Sequence, residues 1–507
     1  MSLLGIGSRA TKAAALRERL GHPVVDADGH YIETGPALKE FVREYARDAG
    51  GGDLAERFER VGGIDYDETV LRPWSRLSDA ERRATWATRP PWWSLPAANS
   101  LDRATAHLPG LLAERLGDLG IDFAVLYPSR TLTTTAIRDA EVRQVACRAL
   151  NAFAAEVYRP YADRLTPVAQ VPTHTPAEAI AGLEHAVLEL GLKAVMINGL
   201  VHRPIGGAAA GPGAQPQDPR LPNWGSGSGE RLDGLGLDSE HDYDPFWRRC
   251  VELRVALASH APGMGWGSRR SISSYMHNHV GSFAASMDAT CKSLFFGGVT
   301  RRFPGLSFGL LEGGVGWAVQ LVHDLVGHFE KRNVRALQHL NPSRIDVELV
   351  LKLFEAYGGG RLRADLAGLR DSFTRLEPAP PELDEWKALG ATSEDELLEL
   401  FVPRFYFGCE ADDPTVAWAF AGRLLPGGRP LRAMFSSDLG HWDVPDMGEI
   451  LLEAHELVED GHLSEADFRE FVFGNPVRFY TSGKRDFFRG TGVEAQAEAL
   501  LAEDAGR

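Results

Sequence analysis

The chain has 507 residues, 44% of them hydrophobic, enough for one large α/β barrel with insertions or for two to three ordinary domains. Its net charge of −16 argues against general nucleic-acid binding, which needs a basic surface. No apolar run approaches the roughly 20 residues that cross a bilayer, and four scattered cysteines without metal-site spacing suit a reducing compartment. We therefore expect a cytoplasmic protein with neither a nucleic-acid nor a membrane partner.

Residues 1–23 form an N-terminal extension that mixes basic residues with alanine and leucine. An unbroken apolar segment is missing from it, so we expect a packing helix rather than a signal peptide. The first buried strand is predicted directly after it. This strand is a short apolar run that ends in Asp26, Asp28 and His30.

Eight short apolar runs alternate with helical patterns along the rest of the chain. The runs begin near residues 24, 121, 165, 192, 254, 306, 405 and 432. Helical periodicity is clearest in residues 138–158, 176–190 and 317–332. Eight strands that alternate with helices predict an α/β fold of the (β/α)8 TIM-barrel type. The rival, a doubly wound open sheet, is disfavoured because neither a Gly-x-Gly-x-x-Gly turn after the first strand nor a P-loop is present.

Three segments are too long for plain barrel connections, and we predict them to be insertions. They cover about residues 31–120, 202–242 and 333–403, which places the barrel at 24–480 and a C-terminal tail at 481–507. The first is rich in tryptophan and the third is charged and helical. The second is rich in Gly, Pro and Ser, so we expect a loop with little helix or strand. It could cover an active site or be a plain excursion of the chain.

Acids and histidines follow several of the predicted strands. Asp28 and His30 belong to the first strand, His260 follows the fifth, Glu312 the sixth and Asp438 the eighth. The carboxyl ends of all strands of a barrel face one mouth, so these side chains are expected to converge. Imidazoles and carboxylates are suitable ligands for Zn²⁺, Mn²⁺ or Fe²⁺.

Several motifs of the chain resemble those of the amidohydrolase superfamily, in particular the group that includes aminocarboxymuconate semialdehyde decarboxylase and γ-resorcylate decarboxylase. Residues 25–30, V-D-A-D-G-H, are similar to its opening I-D-x-H-x-H strand. Residues 298–308, G-V-T-R-R-F-P-G-L-S-F, resemble its entry into strand six, and 435–441, F-S-S-D-L-G-H, its strand-eight motif. Residues 473–480, F-G-N-P-V-R-F-Y, resemble its closing motif.

The resemblance implies one divalent metal ion, Zn²⁺ most readily and Mn²⁺ or Fe²⁺ as alternatives, held by Asp28, His30, His260 and Asp438. It also implies that Asp438 carries a proton. The sequence departs from the family at two positions. Asp28 stands where the first histidine of the opening motif would be, and Glu312 stands where strand six usually presents a histidine. No lysine ends strand four, so a two-metal site bridged by a carbamylated lysine is not expected.

Other residues near the predicted mouth are candidates with plain structural alternatives. Glu312 and His279 are expected to take part in catalysis, with ligation open for Glu312 and simple packing open for His279. Arg130 could clamp a substrate carboxylate through two hydrogen bonds, or be a surface arginine. His441, Trp266 and Trp442 are expected to contact the substrate.

The leading hypothesis is a metal-dependent hydrolase that uses metal-activated water on a small cyclic or carboxylated molecule. The alternative is a non-oxidative decarboxylase. A non-catalytic barrel used for binding, and an enzyme that uses the same acids without metal, are further hypotheses. A homodimer is compatible with the insertions.

Overall fold

Eight parallel strands form the centre of the protein in a computed structural model, which describes residues 11–48, 53–61, 67–92, 95–204, 230–260, 270–375 and 382–506. The strands are β1 Val25–Tyr31, β2 Phe123–Pro128, β3 Leu165–Val171, β4 Ala194–Ile197, β5 Leu257–Ser259, β6 Phe308–Leu310, β7 Phe405–Glu410 and β8 Arg432–Ser436. Each pairs in parallel with its neighbour in sequence order. All eight predicted strands are confirmed, and so is the (β/α)8 TIM barrel.

The barrel closes between β8 and β1. The Asp438 N–H donates to the Asp28 carbonyl oxygen at 3.1 Å. Next to this contact, the Ser437 N–H donates to Asp26 Oδ1 at 3.0 Å and its hydroxyl to Asp26 Oδ2 at 2.6 Å. Asp26 therefore has a structural role, because it joins the first strand to the segment that follows the last.

Helices surround the strands. The larger helices that lie between or after the strands begin with Ala140–Tyr158, which was predicted from its periodicity. The others are Pro176–Glu184, Asp244–Leu253, Ser282–Phe296, Gly316–Arg332, Glu394–Phe401, Ile450–Glu459 and Asn475–Thr481. Their apolar faces, together with strand residues that are almost all buried, make one continuous core. None of the helices in the described part of the chain combines the length and apolarity of a bilayer span.

The first predicted insertion is mainly helical. Its helices are Gly35–Asp48, Leu54–Val61, Arg72–Arg76, Asp79–Thr85, Ser100–His107 and Pro109–Arg115. Gly35–Asp48 and Leu54–Val61 pack on Ala140–Tyr158 around a second, smaller core. The third contains Val347–Tyr357, Gly359–Leu362 and Leu366–Thr374.

The second insertion differs from the expectation of a loop without strand. Val201–Pro204 and Glu230–Asp233 form an antiparallel pair at its base, and residues 205–229 lie outside the described residues. Arg203 and Asp233 are both buried in this pair and form an ion pair at 3.0 Å. Sequence composition missed the pair because its strands are short and their partner residues lie about 30 positions apart.

The two ends of the chain are also helical. Lys12–Leu20 begins at Thr11, whose side chain caps the Ala14 N–H, and Glu494–Ala505 packs through Ala497 and Leu500. Near the C-terminal end, the Tyr480 hydroxyl donates to the Ala27 carbonyl at 2.7 Å. The domain boundaries at 24 and 480 remain a prediction.

Candidate metal centre and active site

A bulge in β1 sets the direction of its polar side chains. The pairing with β2 runs regularly from Val25 to Asp26 and then shifts by one residue before Gly29. A bulge of this kind kinks a strand and redirects side chains, and it is common beside active sites. Gly29 is required here because a Cβ atom would clash with the Asp26 carboxylate and would lie 3.0 Å from Leu126 Cδ2.

Glu312 and Asp438 each lie two residues beyond the end of a strand, on β6 and β8. Both have left-handed backbones, with φ of 55° for Glu312 and 47° for Asp438. A residue with a Cβ atom adopts this conformation at a cost of about 1–2 kcal/mol, and such strain concentrates at functional sites. The turns place both carboxylates against the histidines of β1 and β5.

The side chains converge on His30 Nε2. This atom lies 3.1 Å from His260 Nε2, 3.3 Å from Glu312 Oε1 and 3.4 Å from Asp438 Oδ1. Asp28 Oδ1 lies 3.7 Å from His30 Nε2 and 3.5 Å from His260 Nε2. The sequence prediction that strand-end residues meet at one mouth is therefore consistent with the geometry of these five residues.

The donor set fits a divalent cation. All five residues are buried or nearly so, and within the described part of the chain Asp28 Oδ1 and Oδ2, Glu312 Oε1 and Asp438 Oδ1 accept no well-aligned hydrogen bond. Buried carboxylate oxygens without such hydrogen bonds are costly unless a cation compensates them. Subsets that include His30 lie close enough to share one ion: Asp28 with His260, and Glu312 with Asp438 and His441.

The pKa shifts of the site residues also indicate a site for a cation. Burial raises the pKa of Asp438, and the neighbouring Glu312 carboxylate raises it further. Burial opposes protonation of His260, but the Glu312 and Asp28 carboxylates outweigh it and raise the pKa of His260 to about 10. In both cases a neighbouring carboxylate favours the protonated form of the group when no other cation is present. A metal ion bound here would compensate the same negative charge.

His441 lies closer to the centre than a substrate contact requires. Its ring stacks on His30 at 3.8 Å between centroids, and its Nδ1 lies 2.6 Å from Asp438 Oδ1 and 3.4 Å from Glu312 Oε1. The sequence suggested a substrate contact because His441 follows the strand-eight motif. The structure makes it a neighbour of both acids, so ligation and proton exchange are also open to it.

An aromatic wall connects the centre to the surface. Phe283 lies 6.3 Å from His260 and 5.5 Å from His279, and His279 lies 5.7 Å from Trp442, all between ring centroids. Tyr275 adds a contact of 5.2 Å to His279. His279 is thus part of this wall rather than of the group around His30. Sequence reasoning missed Tyr275 and Phe283, although their spacing of four residues on either side of His279 was a usable signal.

Two other predicted substrate contacts fall in different places. Trp266 lies outside the described residues. Arg130 lines a separate cavity of about 760 Å³ on the β1–β2 side, together with Glu33, His107 and the start of helix Gly35–Asp48. Glu33 accepts the backbone N–H groups of Arg130 and Thr131, both at 2.9 Å, and so fixes the loop that carries Arg130.

Comparison with known families identifies the class of the protein. A family model described as Amidohydrolase matches residues 25–481, so the chain belongs to the amidohydrolase family and is an enzyme of the TIM-barrel type. The motif resemblance is thereby confirmed. No curated protein matches the chain.

Solved structures with the same fold include an amidohydrolase from Mycobacterium avium subsp. paratuberculosis K-10, with a TM-score of 0.50 and 16% identity over 91% of this chain and 98% of that one. A dihydroxybenzoic acid decarboxylase from Polaromonas sp. JS666, with bound manganese and 2-nitroresorcinol, has a TM-score of 0.46 and 16% identity over 92% and 99%. A 2,6-dihydroxybenzoate decarboxylase from Rhizobium has a TM-score of 0.44 and 15% identity over 91% and 99%. At 16% identity, the likeness to the first of these structures is one of fold alone.

Proposed function

We propose that the protein is a metal-dependent enzyme that binds one divalent ion through Asp28, His30, His260 and Asp438 and acts on a small organic acid. The observation that supports this most is the convergence on His30 Nε2 of buried imidazoles and of buried carboxylates that accept no well-aligned hydrogen bond. A bound divalent ion would supply a Lewis acid for a substrate oxygen. The buried acids around it would then handle protons.

Decarboxylation is the reaction that we place first. The sequence motifs resemble the branch of the family that contains decarboxylases. A divalent ion at the centre would also supply the positive charge that a substrate carboxylate needs to approach a protein of net charge −16. In this reaction Asp438 or Glu312 delivers a proton to the carbon that loses CO₂.

Hydrolysis, the reaction expected first from sequence, is the second candidate. The observation in its favour is the 2.6 Å contact between His441 Nδ1 and Asp438 Oδ1, a pair arranged to take a proton from a nucleophilic water and return it to a leaving group. The missing strand-six histidine, which the decarboxylases of this group retain, also favours hydrolysis. A barrel without catalytic activity would not need the strained turns at Glu312 and Asp438.

The role of Glu312 determines the preferred ion. If Glu312 is a ligand, the set contains three carboxylates and two imidazoles, an oxygen-rich environment that favours Mn²⁺. If Glu312 is left free for acid–base work, two carboxylates and two imidazoles remain, and Zn²⁺ fits well. A Glu312→Gln variant separates the two cases, since only the first predicts a loss of affinity for the ion.

Elemental analysis of protein purified without a metal-binding tag tests the proposal. We expect about one Mn or Zn per chain in the wild type and a large loss in His260→Ala, because one of the few nitrogen ligands is removed. His277→Ala is the matched control, since His277 is exposed on helix Tyr275–His279. Its metal content should equal that of the wild type.

Two assays on the metal-loaded wild type then decide the reaction. Release of CO₂ from a panel of aromatic and cyclic carboxylic acids supports decarboxylation, and turnover of amides or lactones supports hydrolysis. No metal above background after incubation with Mn²⁺, Zn²⁺ and Fe²⁺ would overturn the metalloenzyme proposal.

A further inference from the structure

Two helices of the third insertion and a one-turn helix between them stand apart from the barrel. Residues 344–375, which we call the helical arm, contain Val347–Tyr357, Gly359–Leu362 and Leu366–Thr374. Leu351 is the single buried residue of the arm, all of which lies within the described range. The longer helices contact each other, with Phe354 and Phe373 rings 6.3 Å apart and Arg370 Nη2 2.9 Å from Glu348 Oε2.

The outer side of the arm is apolar. Ile345, Leu349, Leu353 and Tyr357 recur every fourth residue, and we call them the apolar stripe. Leu349 is 51% exposed, Leu353 47% and Tyr357 84%. Leu362, at the turn after this helix, is also exposed. A helix that faces water on this side would carry polar residues there, so the stripe indicates a surface that is covered in the working protein.

The arm also lacks the means to be stable alone. Isolated helices shorter than about 12–15 residues are marginal in water, and the two longer helices of the arm have 11 and 9 residues. Their mutual contact fully buries a single residue, Leu351. Further burial of the apolar residues of the arm would therefore stabilise it.

The charge of the helical arm indicates which partner covers the apolar stripe. The arm carries six Lys or Arg and five Asp or Glu, so it is close to neutral, whereas the whole chain carries −16. Two copies of the chain repel each other over most of their surfaces but can approach through their arms. Along one edge of the stripe, Lys352 and Glu355 lie three residues apart. In an antiparallel two-fold pairing of this helix, Lys352 of each copy can face Glu355 of the other.

We propose that the helical arm is a homodimerisation element, in which the apolar stripe of one chain packs against the same stripe of a second copy. The contact is isologous, so residues near the two-fold axis meet their own counterparts. The inference is independent of the proposed reaction and of the metal.

Sedimentation velocity on the full chain at micromolar concentration tests the interface. We expect a wild-type mass of twice 55.4 kDa. The double variant Leu353→Glu/Tyr357→Glu should raise the dissociation constant at least tenfold, because it buries charge at the centre of the contact. Leu188→Glu is the matched control, since Leu188 is 59% exposed outside the arm, and it should remain dimeric. A circular dichroism spectrum equal to that of the wild type shows that the variant has folded.

A cysteine variant provides an independent measurement. The four native cysteines are all buried, so Leu353→Cys carries one accessible thiol. Mild oxidation should link two chains through this residue, whereas Leu188→Cys should stay unlinked. A monomeric wild type would overturn the proposal and leave the stripe to a partner of another sequence. A dimer that survives the Leu353→Glu/Tyr357→Glu change and does not cross-link through Leu353→Cys would equally overturn it.

Discussion

Gly29 shows how one residue determines the shape of the centre. It lies between Asp28 and His30 in the β1 bulge, with Asp26 and Leu126 against its Cα. We expect Gly29→Ala to destabilise the fold by about 1–3 kcal/mol, because the added methyl group displaces the Asp26 carboxylate from Ser437. Thermal unfolding measures the loss.

The control for this change is Gly327→Ala. Gly327 lies inside helix Gly316–Arg332, and a Cβ atom there meets nothing within 4 Å. Replacing this glycine should stabilise the protein by about 0.5–1 kcal/mol through the helix propensity of alanine. Equal effects of the two substitutions would contradict the argument for steric exclusion at Gly29.

At the scale of secondary structure elements, the contact that joins β8 to β1 can be tested by substitution. Ser437 donates its hydroxyl to Asp26 and accepts the Leu439 N–H at 3.2 Å. Ser437→Ala should therefore cost about 1–3 kcal/mol, since it leaves a buried carboxylate oxygen and a buried N–H unsatisfied. Denaturant unfolding gives the value.

The neighbouring Ser436 makes a matched control. It is equally buried on β8, but its hydroxyl has no hydrogen-bond partner in the described part of the chain. Ser436→Ala should be neutral or slightly stabilising. If both alanine variants lost the same stability, the Asp26–Ser437 contact would not be what closes the barrel.

How well a structural element can be predicted from sequence depends on how far apart along the chain its interacting residues lie. Strands such as β2 and β3 are buried along their whole length, so they appear in the sequence as apolar runs. The β1 bulge and the left-handed turns at Glu312 and Asp438 depend on pairing with distant strands, and no local pattern encodes them. His441 shows where prediction from sequence ends. The sequence shows that His441 lies three residues after Asp438, but the contact between its ring and that of His30 depends on the closed barrel.

For the whole molecule, the order of strands and helices was enough to predict the barrel, because each strand pairs with the next one in sequence. What sequence order does not predict is how the inserted segments pack. Two helices of the first insertion, Gly35–Asp48 and Leu54–Val61, join helix Ala140–Tyr158 in a separate core, whereas Val347–Tyr357 and Leu366–Thr374 of the third stand apart as part of the helical arm. Both segments are charged and helical, and they differ in contacts formed only after the barrel closes.

The centre also couples distant parts of the barrel. Asp28, His260, Glu312 and Asp438 come from β1, β5, β6 and β8. An ion bound to the folded state alone stabilises it by about 2.7 kcal/mol when its free concentration is one hundred times the dissociation constant. We therefore expect a chelator to lower the melting temperature of the wild type, as scanning calorimetry would show.

The Asp438→Asn variant should respond to the chelator differently from the wild type. The substitution replaces a carboxyl group whose charged form is disfavoured by burial and by the Glu312 carboxylate when no cation is bound. Asparagine, like aspartate, tolerates the left-handed conformation at position 438. The variant should therefore be at least as stable as the metal-free wild type, and insensitive to the chelator because its affinity for the ion is reduced. A variant that melts below the metal-free wild type would show that Asp438 contributes to folding through contacts other than charge. Indifference of the wild type to the chelator would show that no ion links the four strands.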